Sequence, residues 1–383
     1  MHTAQRTHGF QESVIRGMTR LANEHGAINL AQGFPNFPAP ELIKEAAVAA
    51  IRADVNQYAI TWGAKGLREA LSQKMQSCYG LAVDPETEIT VTCGATEAMA
   101  SVLLALVDPG EEVVVFEPWY ENYGPDAVLC GATPVHVPLQ VGQALDLDRL
   151  AQAFGPQTRA IILNTPNNPT GKVFSVEELA GIADLCHRHN TYAITDEIYE
   201  HIVYEGRHVP IATLPGMASR TVTISGASKT FAITGWRIGT IIAPPELTAA
   251  IRKVHDFLTV GAPAPLQEAV AHAMRTLPLA YYTEMALAYR RRRDLFCGSL
   301  LQAGFTLQPP QGAYYVLADY SALAREDDTT FATRLVKEAG VATVPISSFM
   351  TAAPPPMVRF AFCKTEDLLV EAGQRLLAFA RRR

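Results

Sequence analysis

The chain has 383 residues, 48% hydrophobic, 18% charged and 8% aromatic, with a formal net charge of −6 from 32 Lys+Arg against 38 Asp+Glu. That composition excludes a disordered or fibrous polymer, and the acidic balance argues against a nucleic-acid partner. No run of about 18 apolar residues occurs and the N-terminal MHTAQRTHGFQESVIRG has no apolar leader core, so no membrane partner is expected and the chain reads as cytoplasmic.

Six cysteines, Cys78, Cys93, Cys130, Cys186, Cys297 and Cys363, are scattered without a C-x-x-C pair, so they read as reduced core residues and no metal is expected. His187 and His189 stand two apart on a predicted helix and point to different faces. Two basic clusters, Arg290 to Arg293 and Arg381 to Arg383, fall in helical segments and read as solvated faces. At roughly 150 residues per domain the length supports two or three units.

In chain order, a helix is expected near residues 10–25. From residue 88 strands and helices alternate: EITVTC (88–93) is a strand, ATEAMASVLLALV (95–107) a helix, and EVVVFE (112–117) and TRAIILN (158–164) are buried strands. VEELAGIADLCHRHN is an amphipathic helix, and YAITDE (192–197), RTVTISG (220–226) and GTIIAPP (239–245) are strands. Short apolar β-branched runs separated by helices imply an α/β fold, a mostly parallel sheet sandwiched by helices. After residue 280 the texture changes to a long Arg-rich helix (279–303), a strand in GAYYVLADY, a helix near 330–339, a strand in PPMVRFAFC and a final helix, which read as a smaller α+β domain.

In an open parallel sheet, ligands bind beyond the carboxyl ends of the strands. Those ends are followed by Gly94-Ala95-Thr96, by Pro118-Trp119-Tyr120, by Asn167 and Asn168, by Asp196, Glu197 and Tyr199, and by Ser225, Ser228 and Lys229 with Arg237 beyond. Gly94-Ala95-Thr96 opens a helix whose free N–H groups suit phosphate, with Ser225, Ser228 and Arg237 as further donors. Burial of Lys229 would lower its pKa and leave a nucleophilic amine. Asp196, on an apolar strand, demands a cationic partner. A phosphate site, a Schiff-base lysine and a buried carboxylate together suit pyridoxal 5′-phosphate.

With these residues in view, the chain resembles fold-type I pyridoxal-phosphate enzymes of the class I/II aminotransferase family. The resemblance runs from INLAQGFPNFPAP (28–40) to MVRFAFCKTED (357–367), and its most specific stretch is SGASKTFAITGWRIG (225–239), joined by NNPTG (167–171), DEIY (196–199) and NQYAITWGAKGLREA (56–70). It implies a large cofactor-binding domain over residues 30–278 and a small discontinuous one from 1–29 and 279–383.

By position, the resemblance implies that Lys229 carries the cofactor and shuttles a proton, while Asp196 pairs with the pyridine nitrogen. Tyr199 and Asn168 would bond the phenolic oxygen and Tyr120 would stack on the ring. The phosphate would be held by Gly94, Ala95, Thr96, Ser225, Ser228 and Arg237. Arg359, with Gly33 and Asn168, would grip the substrate α-carboxylate. Tyr58 matches a tyrosine that relatives extend to the neighbour's phosphate, which implies a homodimer with shared active sites. Trp119 and Tyr123 are left open as wall or core aromatics.

QGFPNFP and LANEHGAINLAQG most resemble the kynurenine, glutamine and methionine aminotransferase subgroup. The loop DFLTVGAPAP (256–265), where acid-specific relatives supply a second arginine, carries no cation. The expected activity is therefore transfer of the amino group of a neutral or hydrophobic L-amino acid, with aromatic, methionine or glutamine donors included, to a 2-oxo acid by a ping-pong mechanism. Two alternatives stand beside it: a cysteine-conjugate or cystathionine β-lyase on the same scaffold, and a non-catalytic cofactor-sensing regulator.

Overall fold

The computed structural model describes residues 3–8, 10 and 12–382; Met1, His2, Gly9, Gln11 and Arg383, which belong to the expected terminal segments and the second basic cluster, lie outside the described residues. Helix α1 (Val14–Glu24) is capped by Ser13, whose side chain accepts from Arg16 N, and buries Met18 and Ala22, one turn apart. It leads into strand β1 (Ile28–Asn29). Helices α2 (Glu41–Arg52) and α3 (Lys65–Tyr79) follow.

The central sheet has seven strands: β2 (Ile89–Thr92), β3 (Glu112–Glu117), β4 (Thr133–Pro138), β5 (Thr158–Asn164), β6 (Tyr192–Asp196), β7 (Thr221–Gly226) and β8 (Gly239–Ile242). Helix α4 (Ala95–Leu106) leaves β2, and α5 (Tyr123–Leu129) leaves β3. The spatial order is β2-β8-β7-β6-β5-β3-β4, with β8 antiparallel to both its neighbours and the other pairs parallel. Because β8 runs backwards, it begins at the edge where the other strands end, and Gly239 registers with both Thr92 and Gly226. That reversal brings Arg237 to the ligand edge.

Alternate residues of each strand face opposite helical layers. Val113 and Val115 pack with α4, while Val114 and Phe116 join Leu179 and Ile182 of the helix Val176–His189 on the other face. A third core joins Ile89 and Val91 to α2, α3 and the helix Ala264–Thr276. Strand β4 was not anticipated; it is a half-exposed edge strand, the position where Pro134 and Pro138 cost no ladder hydrogen bond.

The remaining strands are β9 (Thr306–Leu307), β10 (Tyr315–Asp319), β11 (Val341–Ala342), β12 (Val344–Pro345) and β13 (Met357–Ala361). An antiparallel sheet is ordered β12-β13-β10-β9, and β1 pairs in parallel with β11. Met18, Ala22 and Ile28 thus share one core with Phe360, Leu369 and Leu376.

Two readings of the sequence need correction. Arg293, expected on a solvated face, is 4% exposed and donates to Pro310 O and Glu205, while Arg292 lies over the Phe37 ring at 4.5 Å. Only Arg290 and Arg291 of that cluster are exposed. All six cysteines are free, but Cys78 is exposed on α3 rather than part of a core.

Candidate active site

The ends of β2, β3, β5, β6 and β7 open on a cavity of about 430 Å³. At its α4 wall, Gly94 is the N-cap with φ 87° and no side chain caps the helix. The left-handed conformation favours glycine, and a Cβ there would meet Arg237 Nη2 at 2.3 Å. Opposite, a Cβ on Gly239 would lie 2.3 Å from Gly94 C and 2.6 Å from Ala95 N. Two glycines therefore let backbone, helix start and guanidinium close on one point. Ala95 and Thr96 line the cavity there, and Arg237 Nη2 donates to Thr96 Oγ1 at 3.5 Å. Uncapped N–H groups beside a guanidinium form an anion site.

On the floor, Asp196 ends β6. Its Oδ2 accepts the Tyr123 phenol at 2.7 Å and its Oδ1 accepts Ile198 N at 3.2 Å. Burial raises its carboxyl above the ordinary range, opposed by those hydrogen bonds and by Lys229. Among the described residues no ion pair reaches it. Tyr199 lies beyond, its hydroxyl 3.0 Å from that of Tyr315, and burial drives its phenol well above the usual range.

Lys229 stands on the one-turn helix Ala227–Thr230 and donates to Gly33 O at 3.4 Å. Burial first, then the charges of Arg237 and Arg359, lower its pKa to about 8, with Cys363 and Asp196 opposing. A lysine that releases its proton near neutral pH is a usable nucleophile and base.

Arg359 is fully enclosed on β13. Its Nη1 donates to Asn168 Oδ1 at 2.9 Å and its Nη2 to Ala31 O at 2.6 Å, with the rings of Tyr315 and Phe349 at 4.4 and 4.8 Å. Among the described residues the buried Nε has no hydrogen-bond partner. Gly33 closes this corner so tightly that a Cβ would overlap the Tyr315 hydroxyl at 2.0 Å.

Of the residues singled out in the sequence, Gly33, Ala95, Thr96, Tyr120, Asn168 and Asp196 line the cavity, and so do Tyr199, Ser228, Lys229, Arg237 and Arg359. Ser225 does not. It lies within β7, and its hydroxyl donates to Glu200 Oε1 at 2.7 Å on the side away from the cavity. Glu200 also takes the Lys74 ammonium and the Tyr79 phenol. Tyr58 is 87% exposed and does not line the cavity of its own chain. Of the aromatics left open, Tyr123 is a wall residue, whereas Trp119 stacks on His136 at 4.4 Å, outside the cavity.

Sequence reasoning missed Tyr315 of β10, Asp126 of α5, and a rim formed by Ser13, Arg16 and Glu121. Ser13 Oγ donates to Glu121 Oε1 at 2.6 Å, which ties the start of α1 across the cavity mouth. The only sequence signal for Arg16 was its helix, placed ahead of the INLAQG segment.

Strand-end cavities of this kind hold small ligands in α/β enzymes, and one lined by four cations and three carboxyl groups suits a ligand that carries both charges. Comparison with known proteins narrows the class: the chain belongs to the aminotransferase class I and II family, which it matches over residues 25–376. It is similar to the solved structure of N-succinyldiaminopimelate aminotransferase from Mycobacterium tuberculosis, at 42% identity and a TM-score of 0.96, over 98% of this chain and 100% of that one. Methionine aminotransferase of Escherichia coli is 37% identical over 95% of each chain. Human kynurenine–oxoglutarate transaminase 1 is 35% identical over 97% of each. The protein is an aminotransferase. Among the described residues no helix is long and apolar enough to cross a membrane.

Proposed function

We propose that the protein uses pyridoxal 5′-phosphate to move the amino group of a neutral or hydrophobic L-amino acid to a 2-oxo acid in a ping-pong cycle. The observation that carries this is Asp196: a buried carboxylate with no ion-pair partner among the described residues lines a cavity that also holds a desolvated lysine, so the missing cation belongs to the ligand. The glycine-lined start of α4 fits the phosphate, and the Arg359 guanidinium in the cavity wall fits a carboxylate.

When bound, pyridoxal phosphate supplies an electron sink that acidifies the amino acid's α-carbon. Asp196 would hold the proton on the ring nitrogen, and Tyr199 with Asn168 would hold the phenolic oxygen. Tyr120 would cover the ring face. Ala95 and Thr96 N–H groups, Ser228 and Arg237 would hold the phosphate. Lys229 Nζ would take the α-proton and return it, a task suited to an amine near pKa 8. Arg359 would orient the α-carboxylate beside Gly33.

Tyr120, Tyr315, Phe34 and Ile15 give the substrate side an apolar wall, which supports a neutral side chain close to the reacting carbon. A second reading, a donor with an anionic far end, is favoured by Arg16 at the rim, because no ion pair engages that guanidinium among the described residues. The donor named for the M. tuberculosis relative is of that kind. Half-reactions with methionine, glutamine, kynurenine and N-succinyldiaminopimelate, followed by conversion to the pyridoxamine form, decide between them. If none converts the cofactor, the reading is wrong. If Arg16→Gln slows only the succinylated donor, the second reading is right.

A homodimer that shares its sites is part of this proposal. Tyr58 and Phe257, 87% and 91% exposed, stand on segments that touch where His255 Nε2 meets Thr61 O at 2.8 Å. Exposed aromatics on adjoining segments mark an interaction surface. We also read residues 1–29 and 279–383 as one small domain, supported by the core that Met18 shares with Leu376.

A further inference from the structure

Asp126 is a cavity-lining acid that the reading above leaves without a task. It stands on α5 one turn after Tyr123, is 8% exposed, and its Oδ2 is buried without a hydrogen-bond partner among the described residues. A carboxyl in that state is costly to a fold and needs a reason.

Its surroundings supply no compensation. From α4, Thr96 and Met99 line the same cavity; from α5, Tyr123 does, and the Cys130 thiol, raised chiefly by burial, is pushed up further by Asp126. Asp196 of β6, Arg16 and Glu121 of the rim, and Lys229, Arg237 and Arg359 of the remaining walls line the same cavity. None of these charges moves Asp126: burial alone raises its carboxyl to about 7. A charge that would hold it as a carboxylate must come from whatever fills the cavity.

We propose that Asp126 is a second carboxyl group of the cofactor cavity, which gives up its proton to solvent when the cationic pyridine ring enters and then faces that ring as a carboxylate. One O–H bond breaks at Asp126, the proton passes to buffer, and no other bond changes. The inference rests on the pyridoxal phosphate reading. It accounts for a group that costs stability in the empty protein and is repaid by binding. Because binding releases a proton, affinity rises with pH up to about 7 and then levels.

The test is calorimetric titration of the purified, cofactor-free protein with pyridoxamine 5′-phosphate from pH 5.5 to 8.5, for wild type and Asp126→Asn. This probe forms no imine, and the ratio of the two dissociation constants cancels the phosphate's own titration. The ratio is expected to grow from near unity at the acid end to about tenfold at pH 8. In buffers of differing ionisation enthalpy, the wild type should release up to one more proton than the variant near pH 6. The wild-type proton release is read without any variant. A functional cost also predicts that ligand-free Asp126→Asn melts above wild type at pH 8. That advantage should shrink as the pH falls toward 4, since a raised folded pKa penalises the fold only where the carboxyl ionises. A ratio flat with pH, equal proton release, or a variant that melts lower at pH 8 overturns the inference. Failure of the wild type to bind the probe at any pH is a different result and removes the cofactor reading itself.

Discussion

The Tyr123 phenol donates a 2.7 Å hydrogen bond to Oδ2 of Asp196, so the first turn of α5 holds in place the carboxylate that ends β6. The bond joins two segments that leave different strands, and with Ile198 N on Oδ1 it gives each oxygen of Asp196 one protein donor. Asp196→Asn should fold normally yet exchange the substrate α-proton about a hundredfold more slowly, because the charge supporting the electron sink is gone. Exchange at the wild-type rate, followed by NMR in deuterium oxide, would remove that role. Tyr123→Phe should cost about 1 kcal/mol of stability and a smaller part of the exchange rate.

Arg359 spends one nitrogen on Asn168 and one on Ala31 O. Arg359→Lys keeps a charge but loses the planar fork, so KM for the amino acid should rise at least tenfold while cofactor affinity stays within about twofold. Steady-state kinetics alongside a cofactor titration check this. Parallel loss of both would contradict the assignment.

Lys229 gives a pH prediction with a definite sign. Its pKa is lowered to about 8, so capture of pyridoxal phosphate by the cofactor-free protein should accelerate through about pH 8 and then level. An unperturbed lysine would still be climbing near its usual value of about 10.4. The folded chain binds fewer protons at this site than the unfolded chain between those two values, so stability rises with pH across that window and the burial cost is full below it. Lys229→Met should accordingly melt above wild type at pH 7, with the gain vanishing above pH of about 10.

Ser225 and Ser228 should separate cleanly. Ser225→Ala removes a donor from buried Glu200, and should cost about 1–2 kcal/mol in denaturant unfolding with little change in cofactor affinity. Ser228→Ala should do the reverse. If Ser225→Ala is the one that weakens cofactor binding, the placement of its hydroxyl outside the cavity has no functional meaning.

Tyr58 can be tested by mixing subunits. In a symmetric dimer with Tyr58 reaching the neighbour, Tyr58→Ala and Lys229→Ala chains recombine into a heterodimer with one intact site, restoring about a quarter of wild-type activity. No recovery on mixing, with dimers present by sedimentation, means that Tyr58 serves its own chain or none.

Much of this site was legible because the physics is local. Residues that end a parallel strand or closely follow it emerge at the ligand edge, which is why Asp196, Tyr199, Asn168 and Lys229 could be placed there before any coordinates. Gly94 was legible for a related reason: a strand-to-helix turn with φ 87° favours glycine. Ser225 was misplaced because it lies inside β7, where side chains alternate between faces, and its face is decided by Glu200. Strand β4 was missed because edge strands tolerate proline and partial exposure, which blur the apolar run.

By itself, the sequence determined the α/β alternation, the acidic composition, and the set of groups that gather around the ends of the parallel strands. The tertiary structure decided what distant segments contribute: the reversed β8 that carries Arg237 inward, Tyr315 against Gly33, and the rim where Ser13 meets Glu121. It also decided that a net charge of −6 coexists with a cavity lined by four cations, and that Asp126 lies buried among groups that do not compensate it. The physical reason is range. Backbone periodicity is written into neighbouring residues, whereas desolvation and charge depend on which remote side chains fold against a group.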